Sequence, residues 1–70
     1  MNKKILQRFG KMVRDERIKR GISQERLGQL AGVHRTYIGM IERAEKNITL
    51  TNMEKISRAL GKRVRDLVDF

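Results

Sequence analysis

The stretch from Ser23 to Arg43, SQERLGQLAGVHRTYIGMIER, constrains this chain's fold more than any other. It holds two short helical patterns broken at Gly32. Ser23 is a good N-cap for the first, and Glu25 favours its positive end. Leu27, Leu30 and Ala31 form its inner face. Gly32 ends it, and Val33 packs inward. The second pattern runs from about His34 or Arg35 to about Arg43. Tyr37, Ile38 and Ile41 make a buried-looking row, and Arg35, Thr36, Gly39, Met40 and Arg43 lie on the other face. Two helices crossing steeply through such a turn need a residue that tolerates left-handed backbone angles, which Gly32 supplies. The pattern predicts a helix-turn-helix unit over about 23–43, with Leu27, Ile38 and Ile41 between its helices and against the first helix of the chain.

The flanking sequence is helical too. Over residues 3–20, Ile5, Phe9, Met12 and Val13 recur at spacings of four, three and one, and Gly21 follows the cationic pair Lys19–Arg20 as a stop. Gly10 lies inside this helix at a cost of about 1 kcal/mol relative to alanine, which suggests that another helix crosses closely there. Ala44 to Ile48 reads as a polar loop. Thr49 or Thr51 can cap a fourth helix, and Thr51 with Glu54 matches a capping box. Leu50, Met53, Ile56 and Leu60 form its stripe, and Gly61 stops it. Val64, Leu67 and Val68 suggest a last short helix. No period-two alternation is sustained, so the expected class is all-α: one domain over residues 1–70 with five helices, all short except the first.

A chain of 70 residues buries only about 60% of its unfolded surface. With no cysteine and His34 as its one histidine, it has no ligands for a disulfide framework or a zinc cluster, so neither metal nor cofactor is expected. The stiffness is left to helix packing, self-association or both. The formal charge of +9, from 17 Lys and Arg against 8 Asp and Glu, opposes folding by self-repulsion and points to a polyanionic partner. Its basic residues are spread along the chain, which argues against a disordered basic arm. No signal-peptide core follows Met1, and no apolar run approaches the roughly 20 residues that span a bilayer. Lack of cysteine fits a reducing cytoplasm.

A major groove about 12 Å wide admits one helix, and small side chains let its axis approach the base edges. Thr36 and Gly39 are small enough for that approach, and Arg35 is long enough to reach a guanine edge.

These residues resemble the phage-repressor and Cro type of helix-turn-helix domain. The resemblance rests on SQERLGQLAGV and RTYIGMIERAEKNITLTNMEKISRALG, and it spans about Phe9 to Leu67. Within that family, HRTYIGMIER and KNITL look most like the small controller proteins of restriction–modification systems. One departure is Gly28, where the family usually has alanine facing the helix crossing; the expectation is a looser unit. The resemblance implies a compact lambda-repressor-like domain that binds double-stranded DNA. Arg35 and Thr36 match its base-reading positions, with Gly39 beside them facing the groove. Gln24 matches a glutamine that contacts phosphate, with backbone N–H groups assisting. Arg43, Lys46 and Asn47 follow the recognition helix and would hold the flanking backbone. Tyr37 matches a position near the phosphates but fits the core equally, and His34 is a surface residue, a helix cap or a phosphate contact. Arg17 and Glu42 match a partly buried salt bridge between the first helix and the end of the recognition helix.

One such domain makes too few base contacts to find a single site. The family solution is a homodimer on a near-palindrome, and Ile48, Leu50, Val64, Val68 and Phe70 offer an apolar interface. The expected function is sequence-specific transcriptional regulation in the cytoplasm, on the nucleoid, by blocking or contacting RNA polymerase. No small-molecule ligand or membrane is expected. A toxin–antitoxin regulator is the alternative, although this length leaves little room for a toxin-embracing segment. A basic amphipathic membrane- or partner-binding module explains the charge but not the Ser23–Glu42 pattern. Sequence-specific RNA binding wants stacking aromatics, and only Phe9, Tyr37 and Phe70 are present. An enzyme is the weakest option, because there is no cysteine nucleophile or phosphate-cradling loop, and Ser23 and His34 serve as caps.

Overall fold

The computed structural model describes residues 3–68. Within them the chain forms α1 (Lys3–Lys19), α2 (Gln24–Ala31), α3 (Arg35–Glu42), α4 (Leu50–Ala59) and α5 (Val64–Leu67), with no strand among the described residues. Phe70 lies outside the described residues.

The helix ends follow local chemistry. Ser23 Oγ accepts from the Arg26 amide at 2.9 Å and caps α2. Gly32 closes it at φ 74°, and Val33 N–H donates back to the Gly28 carbonyl at 2.9 Å. Helix α3 ends in the same hydrogen-bond pattern without a glycine. Ala44 takes φ 58°, and Glu45 N–H returns to the Met40 carbonyl at 2.9 Å. That left-handed alanine gave the sequence no stop signal. For α4 the cap is Thr49, whose Oγ1 accepts from the Asn52 amide at 3.1 Å; Thr51 lies inside the first turn.

The core joins all five helices. Phe9 and Val13 of α1, Leu27 of α2, Ile38 and Ile41 of α3, Ile56 of α4 and Leu67 of α5 are all at most 2% exposed. Ser57 is fully buried and donates its hydroxyl to the Met53 carbonyl at 2.7 Å, so its burial strands no polar group.

Helix α1 turns slightly from its expected face. Leu6 joins Phe9 and Val13 inside, while Ile5 is 37% exposed and Met12 is half-buried. Gly10 explains the rotation. A Cβ there would overlap the Ile41 carbonyl oxygen and lie 3.0 Å from that of Glu42, so α1 crosses the end of α3 backbone to backbone. The crossing brings Gly10's face inward and sets the neighbouring pairs.

Four expectations need correction. Leu30 is 48% exposed, because in so short a helix Leu27 and Ala31 already fill the inward face. Leu50 is 73% exposed at the first turn of α4 and takes no part in the core stripe. Ile48, expected at a dimer interface, is 6% exposed and packs into the core, where it anchors the loop between α3 and α4. Gly28 tightens the helix-turn-helix unit: its ideal Cβ would lie 2.6 Å from the Val33 carbonyl oxygen, so the turn rests directly on α2.

Candidate nucleic-acid interface

The start of α3 is fixed by its own cap. His34 Nδ1 accepts from the Thr36 amide at 3.0 Å, which requires that nitrogen to be unprotonated. Arg35 and Thr36 follow in the first turn, both exposed. The Arg35 side chain is 63% exposed, and its Nη1 donates to Glu25 Oε2 of α2 at 2.9 Å.

Gly39 departs from the base-reading role. It is buried, and an ideal Cβ would meet Arg43 Nη1 at 3.0 Å and Gln24 Oε1 at 3.5 Å. The two side chains lie over it, and the missing Cβ makes room for the Arg43 guanidinium. Met40 is half-buried beside it.

Beneath this face lies a polar junction of three helices. Glu42, with its side chain 4% exposed, accepts from Arg17 Nε at 2.7 Å and Arg17 Nη2 at 3.1 Å. Its Oε1 also accepts from Gln24 Nε2 at 3.1 Å. Arg17 Nη1 donates to the Ile22 carbonyl at 2.9 Å, tying the α1–α2 turn into the same group. Three donors reach one carboxylate, and no buried side-chain nitrogen or oxygen among the described residues lacks a partner. Gln24 is thus held half-buried at the start of α2, between Glu42 and the Gly39 surface.

Arg43, Lys46 and Asn47 are exposed after α3, and Arg43 Nε pairs with Glu45 at 3.0 Å. Tyr37 is half-buried and does two things. Its ring packs against the core, and its hydroxyl accepts from Asn52 Nδ2 of α4 at 3.1 Å. Lys46 Nζ stands 5.8 Å from the ring centroid. Sequence reasoning missed Asn52, Glu45 and the Glu25 pairing. Asn52 and the Glu25 pairing had no signal, because each joins two helices across the fold, whereas Glu45 pairs locally with Arg43 two residues before it.

Residues 13–67 match the helix-turn-helix family model. The control protein C.BamHI of Bacillus amyloliquefaciens is 51% identical over 63 residues, covering 89% of this chain and 78% of that protein. This chain belongs to the helix-turn-helix family. Its relatives within that family include controller proteins and other transcription regulators. Among solved structures, the restriction–modification controller C.AhdI of Aeromonas hydrophila superposes with a TM-score of 0.86 at 40% identity, over 89% of this chain and 94% of that one. The DNA-binding domain of the P22 c2 repressor gives 0.82 at 33% identity, over 96% and 84%. The all-α fold of this chain is the one these two solved structures superpose on. No helix among the described residues is long and apolar enough to cross a membrane.

Proposed function

We propose that this chain is a transcriptional regulator that binds double-stranded DNA sequence-specifically, with α3 as its recognition helix. The observation that carries the reading is the exposure of Arg35 and Thr36 together in the first turn of α3, on a helix that buries Ile38 and Ile41 on its other face. Arg35 reads a guanine edge and Thr36 a thymine methyl or a phosphate. Gln24, His34, Tyr37, Arg43, Lys46 and Asn47 surround them and serve the phosphates. His34 does so only through its free ring nitrogen, since the other caps α3. The net charge of +9 supplies the sequence-independent attraction. Family membership, and relatives named as control proteins and transcription factors, support the same reading. No catalytic role is proposed.

The protein acts as a homodimer on a near-palindromic operator, with half-sites about 34 Å apart or a multiple of that distance. Leu50, Val64 and Val68 form the self-complementary face. Leu50 supports this, because a large apolar side chain stands 73% exposed beside the half-buried Val64. Regulation follows from occupancy, by blocking RNA polymerase or touching it beside the promoter, in the cytoplasm on the nucleoid.

Selection of bound duplexes from a random pool tests the reading. Enriched sequences with two-fold symmetry and a preferred guanine in each half support it. An unenriched pool sinks it.

A further inference from the structure

The Glu25–Arg35 contact joins the two helices of the motif at the surface expected to meet DNA. The carboxylate is 59% exposed and the guanidinium 63%. The pair is too exposed to matter much for stability. Helix α2 does not need it as a cap either, since Ser23 fills that place. Arg35 opens α3, where a positive charge meets the positive helix end, so helix formation does not call for it.

How the contact is made suggests its purpose. Glu25 engages Arg35 through Nη1 alone. Among the described residues, the edge formed by Nε and Nη2 has no partner. A guanidinium offers two parallel N–H groups along that edge, the fork that matches guanine O6 and N7. An exposed arginine otherwise samples many rotamers, and ordering it on binding is costly. A carboxylate that holds one corner of the fork reduces that cost and fixes the direction of the free edge. Glu25 can stay in place during contact, because it stands in the first turn of α2, where the helix end favours a negative charge.

We propose that Glu25 is a positioning residue for base recognition: it holds Arg35 by Nη1 so that the Nε–Nη2 edge is presented to guanine. This rests on the reading of Arg35 as the base-reading residue. The rival role, a carboxylate that merely competes with DNA for Arg35, has the opposite signature. Removing a competitor strengthens the guanine contact and enlarges the penalty for losing guanine. Removing a positioner frees Arg35 to reach phosphates and other bases, and shrinks it.

The test uses the full chain and the tightest duplex recovered from a random pool, together with variants of that duplex in which each guanine is replaced in turn. The readout is the ratio of affinities with and without guanine, measured for wild type, Glu25→Ala, Glu25→Gln and Arg35→Ala. Circular dichroism checks the fold of each. In wild type one guanine in each half-site dominates. Arg35→Ala abolishes that penalty. Glu25→Ala shrinks it by about two- to fivefold, the range an exposed ion pair commands. Glu25→Gln, which keeps an acceptor oxygen, retains part of it. A penalty that is unchanged or larger in Glu25→Ala overturns the positioning role while leaving Arg35 as the reader. A penalty that survives Arg35→Ala shows instead that the reading of Arg35 itself is wrong.

Discussion

Arg17 and Glu42 bind each other by two hydrogen bonds, at 2.7 and 3.1 Å, with side chains only 14% and 4% exposed. The pair fastens the end of α1 to the end of α3. Through Gln24 and the Ile22 carbonyl it also holds the start of α2 and the turn before it. Removing one partner leaves the other charge buried and uncompensated, at about 3–5 kcal/mol. That is a large share of the 5–15 kcal/mol typical of a whole domain. Arg17→Ala and Glu42→Ala should therefore each lower the urea midpoint strongly. The double variant should lose less than the sum, because it strands neither charge. Unchanged midpoints in both single variants would show that the pair contributes nothing to the fold.

Gly10 and Gly39 both lack a Cβ for reasons of space, but what fills the space differs. At Gly10 the neighbours are the backbone carbonyls of Ile41 and Glu42, which cannot move without shifting α1 from α3. Gly10→Ala should destabilise the protein despite the helix propensity it gains, about 1 kcal/mol. At Gly39 the neighbours are the flexible ends of Arg43 and Gln24. Gly39→Ala should keep or raise the melting temperature while displacing the Arg43 guanidinium, since Gln24 stays in ordinary contact, and so weaken binding to every duplex alike. Thermal melts and titrations with a random duplex separate the two; equal stability losses would refute the distinction.

His34 caps α3 with a ring nitrogen where serine or aspartate is the usual choice. His34→Ala removes the acceptor and should cost about 1 kcal/mol. His34→Ser should restore most of it, since a hydroxyl reaches the same amide. Denaturant midpoints decide the matter, and a serine variant as unstable as the alanine one would show that the cap contributes little.

The helices were legible because their stripes and stops are local. Ser23, Gly21, Gly32 and Gly61 mark boundaries by their own chemistry, and Phe9, Val13, Leu27 and Ile38 repeat at helical spacing. The end of α3 was legible from the polar run after Arg43, although the residue that turns the chain there, Ala44, takes a backbone angle that sequence assigns to glycine. The faces of short helices were less certain. Leu30 and Leu50 fit an apolar stripe by spacing, yet both are exposed, because which turn meets a neighbour depends on crossings such as Gly10 on Ile41. Ile48 shows the reverse error, an apolar loop residue that the core absorbs. At the candidate interface, residue types singled out Arg35 and Thr36, which the fold leaves exposed side by side. The links from Glu25 to Arg35 and from Asn52 to Tyr37 needed the fold.

Arg35 and Arg43 are both exposed cations paired with an exposed glutamate, yet they belong to different tasks. Arg35 stands at the start of α3, the end proposed to enter the groove, and Arg43 follows its last turn. Arg35→Ala should cost about 1–3 kcal/mol on the selected duplex and relax base preference. Arg43→Ala should weaken selected and random duplexes alike and reduce the salt dependence by about one ion. Titrations on both duplexes across a salt series provide the check. If the two variants behave identically on both, the assignment of Arg35 to the bases is wrong.

Leu50 offers the sharpest test of self-association. It occupies the first position of α4, directly after the Thr49 cap, and is 73% exposed. An acidic residue suits that position, because the start of a helix favours negative charge. Leu50→Glu should leave monomer stability nearly unchanged, because that gain is offset by repulsion from Glu54 one turn on, while placing a charge in the middle of the proposed apolar face. Two copies related by a two-fold axis would bring two such charges together. Sedimentation equilibrium should show a dimer for wild type and a monomer for Leu50→Glu, and the variant should lose affinity for a two-half-site duplex far more than for a single half-site. A wild-type protein that stays monomeric at concentrations well above its operator affinity removes the dimer, and with it the reason for a palindromic operator.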